Sequence, residues 1–361
     1  MKKILILANS SGGLYDFRNE LLEKLLKEYE VVVSLPDEVR NKELVREGCK
    51  VVHTPINRRG VNPLEDFKLI RDYGKLMKRE RPDLVLTYTI KPNIYGGLCC
   101  RIKRIPYIVT VTGLGSTFQK QGIFLKMIVA MYRMGLKKAS CVFFQNKENR
   151  QIFSKYGIKG KNSRLVQGSG VNLKRHAFEC YPREETVRFL FVGRMMREKG
   201  IEEFLEAAKK LHSDKVLFEV LGYCDEDYQN KLDAYEKEGC ITQLGFDPDV
   251  HGHIQRASAL VLPTYHEGMS NVLMEASATG RPVIATNISG CKEIFDEGIT
   301  GFGCRPQSSE DLIQALSGFL KLTVEERAKM GRQARMKMER EFDREKVALD
   351  YYDEIQKMTV D

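Results

Sequence analysis

No stretch of the 361 residues approaches the roughly 20 uninterrupted apolar residues that a membrane-spanning helix needs. The opening MKKILILANSSGG turns to Asn, Ser and Gly too early for the apolar core of a secretory signal, so a cytoplasmic protein is expected. The nine cysteines are odd in number and form no C-x-x-C pair, which argues against a disulfide framework. The six histidines stand in no ligand pattern beside them, and no zinc site is expected. Acid is scarce in one region: residues 91–175 hold 17 Lys and Arg against the single acid Glu148. No internal repeat or low-complexity tract occurs.

The length exceeds what one hydrophobic core usually serves, and an apolar fraction of 42% is ample for two cores. A net charge of +9 conceals a split. Residues 1–175 carry 34 basic and 15 acidic side chains, whereas 176–361 carry 24 and 34, giving +19 and −10. Something anionic is expected to meet the first half.

Short β-branched runs alternate with helical-period stretches from the start. Lys3–Leu7, Val31–Leu35, Asp83–Thr87 and Tyr107–Val111 read as strands, with a helix from about Leu14 to Glu28 after the first. The alternation restarts at Val187–Val192 and continues through a helix over 200–211, then strands at Val216–Leu221, Ala259–Leu262 and Val283–Thr286. This is the α/β pattern of two Rossmann-like domains with parallel sheets, divided as 1–175 and 176–361 within a linker expected at the polar, mixed-charge segment 172–185 that carries Pro182, with the last helix able to pack back on the first. Ligands of such sheets lie beyond the carboxyl ends of the strands, so two facing sheets would enclose a cleft.

Three stretches at expected strand ends carry candidate chemistry. In YHEGMSNVLMEA, Glu267 and Glu275 flank a Gly-Met-Ser-Asn turn, and Ser270 or Asn271 can cap a helix over 272–279. Backbone N–H groups at such a helix start favour phosphate or sugar oxygens, and each carboxylate can take a vicinal diol. Equally, Glu267 can be a loop charge and Glu275 a solvated helix residue. In Val192–Gly200, Arg194 and Lys199 are a cation pair suited to a diphosphate, or a plain basic surface loop. In Asn9–Gly13, Gly12 and Gly13 permit close backbone approach to a charged ligand, or make a plain tight turn. The segment is not G-x-G-x-x-G.

Together, the spacing E-G-x-x-x-x-x-x-E, V-G-R-x-x-x-x-K-G and the glycine loop resemble the retaining glycosyltransferases of family 4, which have the GT-B fold. Thr87–Gly97, Thr110–Gly115, Phe144–Asn146 and Gly168–Asn172 look like the bacterial subgroup that builds O-antigen, capsule and protein-glycan repeats on polyprenyl diphosphate. The resemblance implies that Arg194 and Lys199 hold the donor diphosphate and stabilise its departure. It puts Glu275 on the nucleotide ribose. Glu267, with Gly268, Met269, Ser270, Asn271 and Val272, would hold the donor sugar, while Gly12 and Gly13 close on the phosphates. Acceptor contacts are implied at Arg18, Lys91, Thr112 and Gly113. The implied reaction moves a sugar, with a leaning to N-acetylhexosamine, from a UDP-sugar to a polyprenyl-diphosphate-linked saccharide, with retention and without metal or cofactor. Many relatives have a histidine near the donor sugar after the strand corresponding to 107–111, whereas this chain shows Thr112-Gly-Leu-Gly115; the subgroup shares that replacement, which bears on a first-domain catalytic residue more than on the activity.

Asp247-Pro-Asp249 can be a metal motif or, more simply, a loop in which Asp249 caps the helix over 250–257. His251 and His253 are expected at the surface rather than as ligands. In residues 118–138, Phe124, Leu125, Met127, Ile128, Met131 and Met134 offer apolar area, and Lys120, Lys126, Arg133, Lys137 and Lys138 offer charge. That helix either lies on an anionic membrane surface, at the inner face of the cell membrane, or packs on the first sheet. A nucleic-acid partner is not expected, because the basic half lacks interleaved aromatics. A nucleotide-sugar epimerase of the same fold, or a transferase with a soluble acceptor, is the competing reading.

Overall fold

The computed structural model describes residues 1–57, 62–114, 118 and 122–359. The chain forms two units, Met1–Ser169 with Arg344–Asp361, and Gly170–Asp343.

The first unit holds seven parallel strands: β1 (Lys3–Leu7), β2 (Glu30–Leu35), β3 (Lys50–His53), β4 (Leu84–Tyr88), β5 (Tyr107–Val111), β6 (Cys141–Phe144) and β7 (Asn162–Leu165). Their order is β3-β2-β1-β4-β5-β6-β7. Parallel strands must be joined by crossovers, here mostly helices, and these bury both faces of the sheet. β1 shows the consequence. Ile4 and Ile6 enter the apolar cluster with Leu21, Val31 and Tyr351, while Leu5 and Leu7 enter the cluster with Leu69, Tyr73 and Ile94 on the other face. The strand is therefore apolar at successive positions rather than alternating.

The helix Arg344–Thr359 belongs to this first unit although it ends the chain. Tyr351 stacks on Phe143 with ring centroids 4.1 Å apart, and Arg344 donates to the Asp16 carbonyl at 2.7 Å. The division at Ser169 precedes the boundary expected from composition, since the polar segment 172–185 lies within the second unit.

The second unit holds six parallel strands: β8 (Val187–Val192), β9 (Val216–Leu221), β10 (Thr242–Gly245), β11 (Ala259–Leu262), β12 (Val283–Thr286) and β13 (Gly301–Cys304), in the order β10-β9-β8-β11-β12-β13. The chain enters and leaves it at adjoining points, where the Val171 N–H donates to the Phe342 carbonyl at 2.8 Å. In each sheet the winding reverses once, between β1 and β4 in the first and between β8 and β11 in the second. At such reversals the crossovers leave on opposite faces, and a crevice opens beyond the carboxyl ends of the two strands.

The helix expected from Leu14 begins at Ser11 instead. The Ser10 side chain accepts from the Gly13 N–H at 3.2 Å, which draws both glycines into the first turn. They are part of a helix start, not of an open loop.

Candidate functional site

The reversal of the second sheet brings two loops together. After β8 come Gly193 to Gly200, and after β11 come Pro263 to Ser270. Glu198 links them: its carbonyl accepts from the Tyr265 N–H at 2.9 Å and from Thr264 Oγ1 at 3.1 Å. Gly200 has φ 74°, and a Cβ there would stand 2.1 Å from the Pro263 carbonyl oxygen. Only glycine permits that approach. From the other side, the Gly290 carbonyl accepts from the Ser270 N–H at 2.9 Å, which seats the turn at Glu267 to Ser270.

The helix Asn271–Ala278 follows this turn, with Ser270 in the N-cap position but without a capping hydrogen bond from its side chain. Met269 is buried in the core, so what it can offer a ligand is backbone. Val272 packs partly against the same core. The positive end of the helix points at the crevice beyond β11, which suits an anion.

Charged side chains gather on both loops. Lys199 Nζ pairs with Glu267 Oε1, with side-chain exposures of 23% and 14%. Arg194 Nη1 donates to Asp225 Oδ2 at 2.5 Å, with exposures of 41% and 16%. Each cation proposed for a diphosphate thus has a carboxylate beside it. Asp225 follows β9 and carries no sequence signal in the stretch CDEDY, because only the parallel pairing of β8 with β9 brings it to Arg194. Beneath the turn, burial and then the Glu267 charge push the Cys291 thiol well above its ordinary range, so it stays protonated. Glu275 is half-buried in the helix, its Oε1 3.8 Å from Nε2 of the buried His176. His176 comes from the polar segment that composition suggested as a linker.

In the first unit the reversal between β1 and β4 places Gly12 and Gly13 at one strand end and Thr89 to Lys91 at the other. A Cβ on Gly12 would meet nothing closer than 3.6 Å, so packing within the chain does not demand glycine there. The stretch TYTIKPN is ordered internally: Thr87 Oγ1 donates to Asn93 Oδ1 at 2.8 Å, and Asn93 Nδ2 donates to the Thr110 carbonyl at 2.8 Å. Thr89 adopts φ 71°, a costly conformation for a β-branched residue. Lys91 pairs with the buried Asp66 at 2.8 Å, on the wall of an open pocket of about 350 Å³ shared with Asn57 and Glu65. Arg18 is buried, with its guanidinium 5.4 Å from the rings of both Tyr88 and Tyr351. The Gln145 amide, oriented to suit both neighbours, accepts from Arg18 at 2.8 Å and donates to the Thr112 carbonyl at 3.0 Å. Arg18 and Thr112 are thereby joined, with Gly113 next along the chain, while Lys91 lies on the far side of β4.

Asp249 caps the helix Val250–Arg256 by accepting from the Gly252 N–H at 3.1 Å. Asp247 accepts from the Asp249 N–H at 2.8 Å and lies 2.9 Å from His253, whose hydrogen bond lowers the Asp247 carboxyl. The two aspartates thus make a helix start. His251 and His253 are half-buried and partnered instead of standing free at the surface: His251 lies 3.0 Å from Gln255 and 3.3 Å from Thr279. Among the described residues, no group of three or more His, Cys, Asp or Glu is placed to hold a metal.

The helix Ile123–Leu136 divides its apolar residues. Ile128 is buried in the core and Phe124, Leu125 and Met131 pack partly against it, whereas Ile123, Met127 and Met134 are exposed. Lys126, Lys137 and Lys138 are exposed, Arg133 donates to the Tyr156 carbonyl, and Lys120 lies outside the described residues. No described helix is long and apolar enough to cross a membrane.

Two family models match, glycosyl transferase 4-like over residues 3–146 and glycosyl transferases group 1 over 176–337. Between them the two models take in most of the chain, which is a glycosyltransferase built of these two domains. This glycosyltransferase is 26% identical over 334 residues, 87% of this chain and 88% of the other, to the N,N'-diacetylbacillosaminyl-diphospho-undecaprenol alpha-1,3-N-acetylgalactosaminyltransferase of Campylobacter jejuni. It is 25% identical over 75% of its length and 74% of the other's to the UDP-Gal:alpha-D-GlcNAc-diphosphoundecaprenol alpha-1,3-galactosyltransferase of Escherichia coli. Anabaena HepE in complex with UDP-glucose is similar in structure, with a TM-score of 0.82 at 18% identity over 99% of this chain and all of the other. The fold is GT-B.

Proposed function

We propose that this glycosyltransferase moves a sugar, with a leaning to N-acetylhexosamine, from a UDP-sugar to a saccharide carried on polyprenyl diphosphate, with retention and without a metal. The observation that carries the donor half is the pairing of Lys199 with Glu267 beside a helix start at the reversal of the second sheet, with Arg194 on the same loop as Lys199. Two cations and a helix end suit a diphosphate, and carboxylates suit sugar hydroxyls. The acceptor half is supported by the two relatives, both named for diphosphoundecaprenol-linked saccharides.

In this reading Arg194 and Lys199 stabilise charge as it grows on the departing diphosphate, which needs no proton transfer from either. Glu267 faces the donor sugar and Glu275 the ribose. Gly12 and Gly13 admit the phosphates, a reading supported by the space at Gly12, where a Cβ would meet nothing closer than 3.6 Å among the described residues. Arg18, Thr112 and Gly113 contact the acceptor, with Lys91 at its edge. A thermal-shift screen of sugar nucleotides tests the donor, because a ligand at 100 times its Kd should stabilise the protein by about 2.7 kcal/mol. Product analysis with and without a lipid-linked saccharide separates transfer from epimerisation.

Glu275→Ala is expected to weaken binding of both the donor and free UDP, the ribose being common to them. Glu267→Ala should spare UDP and slow transfer. Loss of a hydrogen bond to a charged group suggests roughly 1.5–3 kcal/mol in each case. Calorimetry with UDP decides, and equal losses in the two variants would remove the assignment.

The first unit is also proposed to meet the cytoplasmic face of the membrane, where a polyprenyl carrier would reside. Ile123, Met127 and Met134 are exposed beside Lys126, Lys137 and Lys138, and Ile102 is exposed on the packed neighbouring helix Gly97–Lys103. Cations near an anionic surface contribute about 1 kcal/mol each. Neutralising the three lysines should reduce flotation with anionic liposomes at low salt, and a wild-type protein that ignores such liposomes would end this proposal.

A further inference from the structure

We propose that Asp225 is a positioning residue for Arg194, holding its guanidinium ready for the donor diphosphate. The proposal rests on the reading of Arg194 as a diphosphate ligand. Arg194 Nη1 donates to Asp225 Oδ2 at 2.5 Å, one of five N–H donors on the group. The carboxylate is the more enclosed partner, at 16% exposure against 41% for the arginine. A planar fork held by one arm keeps its remaining donors for a second anion, and phosphate takes two of them side by side.

Asp225 is itself held by backbone on both sides of the contact. Its N–H donates to the Met195 carbonyl at 3.3 Å, and the Met195 N–H donates to the Tyr223 carbonyl at 2.9 Å. Further along both loops, the Arg197 N–H donates to Glu226 Oε2 at 3.0 Å. The lacing begins where the loops leave their strands. Gly222 has φ 145°, and a Cβ there would lie 1.8 Å from the Gly193 carbonyl oxygen, so no other residue lets the loops approach this closely. The freedom of a long arginine side chain is thus surrendered in folding instead of at donor binding.

The test is calorimetry of the full-length chain with UDP and with uridine, which share the base and ribose but differ in the diphosphate. D225A is expected to weaken UDP binding about tenfold, the scale of one hydrogen bond to a charged group, and to leave uridine unchanged. D225N, which keeps the shape, should show the same loss, and D225E should recover part of it. Tighter UDP binding by D225A would mean that Asp225 competes with the donor, and would overturn the proposal. Equal losses for UDP and uridine would reduce Asp225 to a structural role and overturn it as well. R194A separates the two readings. If R194A weakens UDP and D225A does not, the positioning role fails alone; if R194A leaves UDP untouched, the diphosphate site itself is wrong.

Discussion

Lys199→Ala is expected to slow sugar transfer by about a hundredfold or more, with the fold intact, and Arg194→Ala to do the same. The case begins with placement. Both cations stand on the loop after β8, partly shielded from water, at the reversal where the sheet opens. There a charge acts through a lower effective dielectric than in bulk water, and charge accumulating on a leaving diphosphate is stabilised accordingly. Lys199 has a second consequence. Its removal leaves Glu267 without its cation in a site where the carboxylate is 14% exposed, placing an unopposed negative charge beside the diphosphate. Arg194→Ala strands Asp225, 16% exposed, in the same way, so the two variants should be comparably damaging, and Lys199→Arg should recover part of the rate. Neither residue lies in the apolar core, so circular dichroism should be unchanged. Steady-state kinetics reads the effect. EDTA is expected to change little, whereas a strict requirement for added manganese would contradict the proposed chemistry.

Tyr351→Ala should destabilise the first unit by about 3–5 kcal/mol, the range for removing a large aromatic from a core. Tyr351 is buried on the helix Arg344–Thr359, stacked on Phe143 of β6, in one cluster with Ile4, Ile6 and Val31. That helix is joined to its unit through space rather than by chain neighbours, so its anchoring depends on such contacts. Arg344 contributes through Asp16 and the buried Glu20, and Arg164 through Asp350 nearer the surface, but these contacts are polar, whereas the ring is the large apolar piece. Tyr351→Phe keeps the ring and should retain most of the stability. Urea denaturation followed by circular dichroism checks this; the chain contains no tryptophan to serve as a fluorescent reporter. Arg18 lies 5.4 Å from the Tyr351 ring, so the alanine variant should also loosen this proposed acceptor contact. A variant as stable as wild type would show that the ring is not the anchor and that Val347, Ala348, Ile355 and the polar contacts hold the last helix.

The sequence by itself determined the two parallel α/β sheets, because β1, β2, β4, β5, β8, β9, β11 and β12 are concentrated apolar runs whose period is read locally. It also marked the residues proposed for the donor: glycines, a cation pair and two carboxylates at strand ends are unusual enough together to stand out from a solvated surface. The short strands β3, β6, β7, β10 and β13 were not legible: β3, β7 and β10 hold too few apolar residues among their four, β13 contains two glycines, and β6, though as apolar as β11, was not read as a strand. The same limit hid the start of the first helix, where Gly12 and Gly13 read as a loop until the Ser10 cap placed them in a turn. Tertiary structure alone decided which acid stands beside each cation. Lys199 and Glu267 are 68 residues apart and Arg194 and Asp225 are 31 apart, and spacing of that size has no local periodicity to betray it. It also decided that the last helix completes the first unit, and that Ile128 is core while Ile123 and Met127 remain at the surface. In each case the deciding quantity is what lies across the sheet or across the strand order, and that is settled only when non-local burial is satisfied.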